Sequence, residues 1–173
     1  MFKIATWNVN SLKVRLDQVL PWLDTHQVDV LAMQETKLTD DQFPRSAFED
    51  KGYHVVYAGQ KTYNGVAIVS KLPIQDVQTD IPDLDDPQRR ILAATIGDIR
   101  IIDLYVPNGS EVDSDKYRYK LNWLDKVSQF IKTQLEKYPQ VVVLGDFNIA
   151  PEDRDVQDPA ASGEQSLVSP TER

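Results

Sequence analysis

The amino-acid sequence predicts a mixed α/β fold on three observations. A β-favouring run near the start is followed by leucines at helical spacing, the middle of the chain holds short apolar runs cut by glycine and proline, and a long amphipathic stretch leads into another apolar run. Residues 2–9 are apolar and β-favouring, whereas Leu12, Leu16, Leu20 and Leu23 in residues 11–23 repeat at the helical period, so a strand precedes a helix. Val28-Asp29-Val30-Leu31-Ala32-Met33 has the pattern of a strand buried on both faces, and it stops at the polar pair Gln34-Glu35. The β-rich runs at 53–58, 66–70, 74–81, 91–96 and 99–106 are separated by Gly59, Gly65, Pro73, Pro82 and Gly97-Asp98, a spacing that favours antiparallel pairing. Residues 115–137 are expected to form a helix with Leu121, Leu124, Ile131 and Leu135 on one stripe, broadened by Trp123, Val127 and Phe130. After Tyr138-Pro139, the run Val141-Val142-Val143-Leu144 is expected to be a buried strand that delivers Gly145-Asp146-Phe147-Asn148 at its carboxyl end.

Residues 149–173 are mostly polar and contain Pro151, Pro159, Gly163 and Pro170, so they read as a loop. That loop ends in Ser169-Pro170-Thr171-Glu172, which spells a helix start: a capping residue, proline at the first helical position and glutamate three residues after the cap. One residue follows it. The expectation is therefore that the chain is part of a longer polypeptide.

Composition bounds the function. With 173 residues, 41% hydrophobic and 9% aromatic, the chain can bury a core of domain size. It has no run of about 18 apolar residues, and its first residues lack the charged-then-apolar plan of a secretory signal, so neither a membrane partner nor export is expected. The absence of cysteine excludes disulfides, thiolate nucleophiles and cysteine-ligated metal, and points to a reducing, cytoplasmic location. A net charge of -8 argues against holding nucleic acid through a broad basic surface, so any such contact must be local. Carboxylates instead suit a hard divalent cation held next to a phosphate.

Three strand ends finish in polar residues: Trp7-Asn8-Val9-Asn10, Gln34-Glu35-Thr36-Lys37 and Gly145-Asp146-Phe147-Asn148. Alternation would place Asp146 and Asn148 on one face. If the three strands pair in one sheet, Asn8, Glu35, Asp146 and Asn148 converge at one edge and offer oxygen donors suited to Mg²⁺ rather than zinc. Taken singly, Asn8 also reads as a turn residue, Glu35 as a cap or surface acid, and Asp146-Phe147-Asn148 as an Asx turn.

In combination they are more specific. Thr6-Trp7-Asn8-Val9-Asn10, Gln34-Glu35-Thr36-Lys37, Tyr105-Val106-Pro107-Asn108-Gly109 and Gly145-Asp146-Phe147-Asn148-Ile149-Ala150-Pro151, in that order, resemble the exodeoxyribonuclease III branch of the endonuclease/exonuclease/phosphatase superfamily. Asn64-Gly65-Val66-Ala67-Ile68 and the helical residues Tyr117, Tyr119, Lys120 and Trp123 fit the same pattern. The resemblance implies part of a four-layered α/β sandwich (DNase I-like), with mixed, mostly antiparallel sheets flanked by helices. It also implies that residues 1–173 form an incomplete single nuclease domain. The implied activity is Mg²⁺-dependent hydrolysis of DNA phosphodiesters, with Mn²⁺ as a substitute metal, by 3′-to-5′ exonuclease action on duplex DNA and incision at abasic sites.

Carried over by position, the resemblance implies metal contacts from Asn8, Glu35, Asp146 and Asn148. Asp146 would position or deprotonate the attacking water, Asn148 would hydrogen-bond the scissile phosphate, and Tyr105 would approach the phosphate or leaving oxygen. Asn108 is either a substrate contact or an Asn-Gly turn residue. Arg90 and Arg89 suit phosphate by their guanidinium geometry, but Asp83, Asp85 and Asp86 offer local ion pairs, and Lys37 is open to the same two readings. His26 and His54 fall at structural positions.

The family's late Ser-Asp-His segment, and a further aspartate, have no counterpart in these 173 residues. The resemblance therefore implies a phosphate-contacting histidine from elsewhere, an isolated chain of little activity, and an uncovered sheet face and free strand edges that make the isolated chain self-associate or leave it unstable. Two other readings remain: a phosphodiesterase of the same fold acting on RNA or a phospholipid, and a non-catalytic fragment or interaction module.

Overall fold

Alternation of apolar side chains along the strands decides the architecture, which is described here for residues 1–158 and 166–173 of a computed structural model. The order is β1 (Ile4–Asn8), α1 (Leu12–His26), β2 (Val30–Gln34), α2 (Arg45–Glu49), β3 (His54–Ala58), β4 (Val66–Ser70), β5 (Ile74–Gln78), β6 (Ile91–Ile96), β7 (Ile99–Tyr105), α3 (Asp115–Lys137) and β8 (Val141–Asp146), with short 3-10 turns at Asp40–Gln42 and Asp153–Asp155. Two four-stranded sheets result, ordered β1-β2-β4-β3 and β5-β6-β7-β8. The predicted antiparallel pairing holds for β3 with β4, β5 with β6 and β6 with β7. Two pairs are parallel: β1 with β2 and β7 with β8. Each is joined through a helix, α1 and α3 respectively, as parallel neighbours require.

On β2, Leu31 and Met33 face α1 and α2, joining Leu12, Val19, Leu23 and Phe48 in one cluster. Val30 and Ala32 face the other way and meet Leu92, Ala94, Ile96 and Ile101 of the second sheet. Beyond that sheet, Ala93, Ile102 and Leu104 pack against Trp123, Val127 and Phe130 of α3. The layers are thus helix, sheet, sheet, helix, and each fully buried Leu, Ile or Phe contributes about 1.5–3 kcal/mol. β1 lies over β8, β2 over β7, β4 over β6 and β3 over β5.

Several expectations are corrected. Both sheets have covered faces, so the open element is an edge rather than a face: every residue of β8 is only half-buried, because among the described residues β7 is its one paired neighbour. The buried strand expected at 141–144 is half-buried for the same reason. On α3 the buried line is Tyr117, Lys120, Trp123, Val127, Phe130 and Gln134, while Leu135 is exposed, so the residues read as broadening the stripe are its centre. β5 ends at Gln78 rather than 81, after a register shift against β6. Pro21 lies inside α1 without ending it. Ser169 through Arg173 make one helical turn, with the Glu172 and Arg173 amides donating to the Ser169 carbonyl at 3.0 and 3.2 Å. Pro159 and Gly163, two of the residues behind the loop reading of 149–173, fall in 159–165, outside the described residues. Among the described residues no helix is long and apolar enough to cross a membrane.

Candidate active site

The two parallel strand pairs end at the same rim of the sandwich. β1 ends at Asn8 and β2 just before Glu35 in one sheet, and β7 ends at Tyr105 and β8 at Asp146 in the other. The three polar strand ends therefore do not share a sheet, as the sequence reading supposed. They face one another across the sandwich, because β1 stacks on β8 and β2 on β7.

Asn8 joins the halves. Its Nδ2 donates to Glu35 Oε1 and to Asp146 Oδ2, both at 2.8 Å. The backbone amide of Asn10 donates to Asn8 Oδ1 at 3.0 Å and fixes which end of the amide faces the carboxylates. Asn8 is thus more than a turn residue.

Glu35 lies just beyond β2 at a φ of 55°, a left-handed value that costs a non-glycine residue energy and persists only when its surroundings impose it. Here they do. The backbone amides of Ser11 and Leu12 donate to the carbonyls of Glu35 and Thr36 at 2.8 and 3.0 Å, and those of Thr36 and Lys37 donate to Gly65 and Asn64 at 3.2 and 2.9 Å. Burial alone would raise the Glu35 carboxyl, but hydrogen bonds with Asn8, Lys37 and Tyr105 outweigh it and hold the group below the ordinary glutamate value. Lys37 is the ion-pair partner, 3.0 Å from Glu35 Oε2, and its Nζ also donates to Asn10 Oδ1 at 2.6 Å.

Tyr105 reaches Glu35 from β7. Burial and the neighbouring Glu35 push its phenol up to about 12, so at neutral pH it keeps its proton and can donate. The Arg90 guanidinium lies over the Tyr105 ring at 4.7 Å, and its Nη1 donates to the Tyr105 carbonyl at 3.1 Å. Arg90 therefore braces Tyr105, and it forms no ion pair with Asp83, Asp85 or Asp86. Arg89 is paired with Asp80 at 2.9 Å.

Asp146 ends β8, and Asn148 follows at a φ of 47°. Strand alternation thus does not place Asn148. A turn does, closed by the Asn148 backbone amide donating to Asp146 Oδ1 at 3.1 Å. Asn148 Nδ2 donates to the Val106 carbonyl at 2.9 Å, and its Oδ1 accepts from Asn108 Nδ2 at 3.2 Å. Asn108 in turn accepts the Ser110 amide at 3.2 Å. It is both a turn residue and a neighbour of Asn148.

Asn8, Glu35, Tyr105, Asp146 and Asn148 thus come together, with Asn108 beside them and Arg90 beneath. A cleft of about 550 Å³ lined by Thr6, Asn8, Gln34, Asp146, Asn148 and Leu167, among others, opens there. The oxygens at the junction are those of carboxylates, because the amide oxygens of Asn8 and Asn148 accept from the Asn10 amide and from Asn108, which counts against Asn8 as a direct ligand in this arrangement. Among the described residues no three His, Cys, Asp or Glu side chains are grouped so as to hold a metal ion. Asp146 lines this cleft and Glu35 lies across Asn8 from it, and carboxylates so placed fit a hard cation that keeps much of its hydration, as Mg²⁺ does.

Sequence reasoning missed two polar residues behind this rim. Asp103 of β7 has no exposure, and its Oδ1 accepts from Gln34 Nε2 at 2.7 Å across the two sheets. The signal was an acid inside the apolar run Ile101-Ile102-Asp103-Leu104. Lys120 was noted only as fitting a pattern, although a lysine three residues before Trp123 falls on the buried line of α3.

The Endonuclease/Exonuclease/phosphatase family profile matches residues 5–171. The chain is similar to exodeoxyribonuclease III of Haemophilus influenzae, at 32% identity over 160 residues that cover 89% of this chain and 60% of that protein. It superposes on a Neisseria 3′ phosphatase solved with product DNA hairpin at a TM-score of 0.98 and 47% identity, covering 100% of this chain and 68% of that one. An AP endonuclease from Archaeoglobus fulgidus gives 0.96 and 40%, covering 100% and 67%.

Proposed function

The chain belongs to the Endonuclease/Exonuclease/phosphatase family, and from that premise we propose that it serves a Mg²⁺-dependent DNA-repair phosphodiesterase, a 3′-to-5′ exonuclease on duplex DNA and an abasic-site endonuclease. Kinship with proteins named exodeoxyribonuclease III, 3′ phosphatase and AP endonuclease supports DNA as the substrate. One observation carries the reading: a single asparagine amide spans two carboxylates that come from different sheets. That arrangement suits chemistry in which one carboxylate serves a cation and the other serves water.

In this proposal Glu35 is the principal metal ligand, with Asn8, Asp146 and Asn148 around the ion. When bound, the metal neutralises charge on the phosphate oxygens and leaving group. Asp146 orients or deprotonates the attacking water, a service worth about 10²–10⁴-fold. Asn8 holds Glu35 and Asp146 in fixed relation. Asn148 and Asn108 each commit one amide N–H to the protein and keep a second for phosphate oxygens. Tyr105, protonated, hydrogen-bonded to Glu35 and braced by Arg90, approaches the phosphate or leaving oxygen. Phosphate contacts are confined to this rim, consistent with a net charge of -8.

Incision of an abasic-site or nicked duplex that requires Mg²⁺, ceases with chelator and disappears in Glu35→Ala is the expected result, weak for these 173 residues alone, which lack the family's late Asp and His residues, and restored when a relative's carboxyl-terminal segment is fused to them. Hydrolysis of RNA or a phospholipid without DNA cleavage would refute the substrate, and absence of all hydrolysis with retained protein binding would refute catalysis. The half-buried β8 edge further supports self-association of this chain, which a strictly monomeric sedimentation profile at high concentration would exclude.

A further inference from the structure

Helix α3 carries a charged side chain where its packing calls for a hydrophobe. Lys120, three residues before Trp123, has no exposure, and a buried ammonium is tolerated only when its donors are met. Its Nζ donates to the backbone carbonyl of Asn148 at 2.6 Å, to that of Ser166 at 3.3 Å and to that of Asn108 at 3.4 Å. It also pairs with the buried carboxylate of Glu172. Glu172 accepts from the Ser169 hydroxyl, which lies 2.6 Å from the Tyr117 hydroxyl on the preceding turn of α3. The Ser166 hydroxyl donates to the Asn108 carbonyl at 2.6 Å.

Two of the three carbonyls held by Lys120 belong to the two asparagines whose side chains meet at 3.2 Å. They sit on separate loops, one after β7 and one after β8, and their backbones converge on this ammonium. A plain stabilising ion pair does not account for the choice, because buried pairs add little net stability and apolar replacements of both partners are often neutral.

We propose that Lys120 is a positioning residue, which holds the backbones of Asn108 and Asn148 at a fixed separation so that their amides present donors to one phosphate group as a unit. The proposal rests on the phosphodiesterase reading for its substrate, but the positioning itself is measurable without turnover.

Three variants test it: Glu172→Gln, the double variant Lys120→Met with Glu172→Gln, and Lys120→Arg. Each is followed by thermal melting, by the side-chain amide NMR resonances of Asn108 and Asn148 with and without inorganic phosphate, and by kcat and KM on an abasic duplex. Glu172→Gln leaves the ammonium–carbonyl bonds in place, so both amide resonances and kcat are expected to stay near wild type. In the double variant the two resonances shift or broaden and lose their response to phosphate. Its kcat is expected to fall about 10²-fold, the cost of misplacing a reacting group by about 1 Å, with KM changed less than about threefold. Lys120→Arg, which keeps donors and charge, is expected to recover most of the loss. Unchanged resonances in a folded double variant would overturn the proposal, and so would equal losses in Glu172→Gln and the double variant. If the double variant does not fold, Lys120→Arg and Glu172→Gln decide: disturbed amides in Glu172→Gln with normal melting would overturn it. If the resonances behave as expected while neither these 173 residues nor the same residues fused to a relative's carboxyl-terminal segment cleave DNA, the substrate reading fails and the positioning role stands.

Discussion

Gly145 immediately precedes Asp146, and its replacement by alanine is expected to disable the site while leaving most of the fold intact. Its φ is 135°, and a Cβ built there would lie 1.9 Å from the carbonyl oxygen of Leu104 on β7, where real Cβ contacts do not fall below 3.0 Å. The obstacle is backbone inside a sheet, so no side chain can swing away. β8 must retreat by about 1 Å, and a shift of that size at a reacting group can cost about 10²-fold in rate. The strained φ adds of order 1–3 kcal/mol to the cost of folding. Gly97→Ala is the matched control, because Gly97 also has positive φ but meets nothing within 4 Å. The assay compares melting temperature and Mg²⁺-dependent cleavage of an abasic duplex for both variants. Gly97→Ala should lose some stability and keep its rate per folded molecule. Gly145→Ala should lose both, with the rate loss surviving correction for the folded fraction. Wild-type cleavage by folded Gly145→Ala would refute the argument that close approach of β7 and β8 sets the position of Asp146.

Four further outcomes are expected. Asn8→Ala removes two hydrogen bonds to carboxylates, each worth about 1.5–3 kcal/mol; with partial compensation by water, cleavage should fall about 10²-fold, and a rate within about threefold of wild type would count against the bridge. Glu35→Gln should lower the Tyr105 phenol part of the way from about 12 toward its ordinary value of about 10, as read by ultraviolet titration against Tyr105→Phe. Burial lifts the Asp103 carboxyl well above its usual range, so the stability this provides is full below the unfolded value of about 3.9 and is lost as pH rises through the raised folded value; urea midpoints should therefore decline with pH, and equal slopes in Asp103→Asn would contradict this. Trp123→Ala, at the centre of the α3 contact with 1% exposure, should cost about 3–5 kcal/mol in denaturant unfolding.

Which residues meet at the candidate site was legible in the sequence because strand ends are marked by abrupt polarity. Asn8, Glu35 and Asp146 each close an apolar run, and β4, β6 and α3 were bounded correctly by glycine, proline and period. The sequence alone also determined that donors would be oxygen-rich, since cysteine is absent and both histidines lie elsewhere. It could not determine which strands are neighbours. Period and polarity describe one segment at a time, whereas pairing depends on long-range packing, so convergence of the three strand ends could be reached only on the condition that they share a sheet, and β8 belongs to the other. The same limit hid the roles of the inner polar residues. Asp103 and Lys120 each look misplaced within their own element, and become intelligible only when Gln34 arrives from the opposite sheet and the Asn108 and Asn148 carbonyls arrive from two loops. Tertiary structure also turned an expected open face into an open edge, because α3 covers the outer face of the second sheet while β8 keeps one paired neighbour among the described residues. Local chemistry was written in the residues, and its convergence was decided by how the two sheets stack.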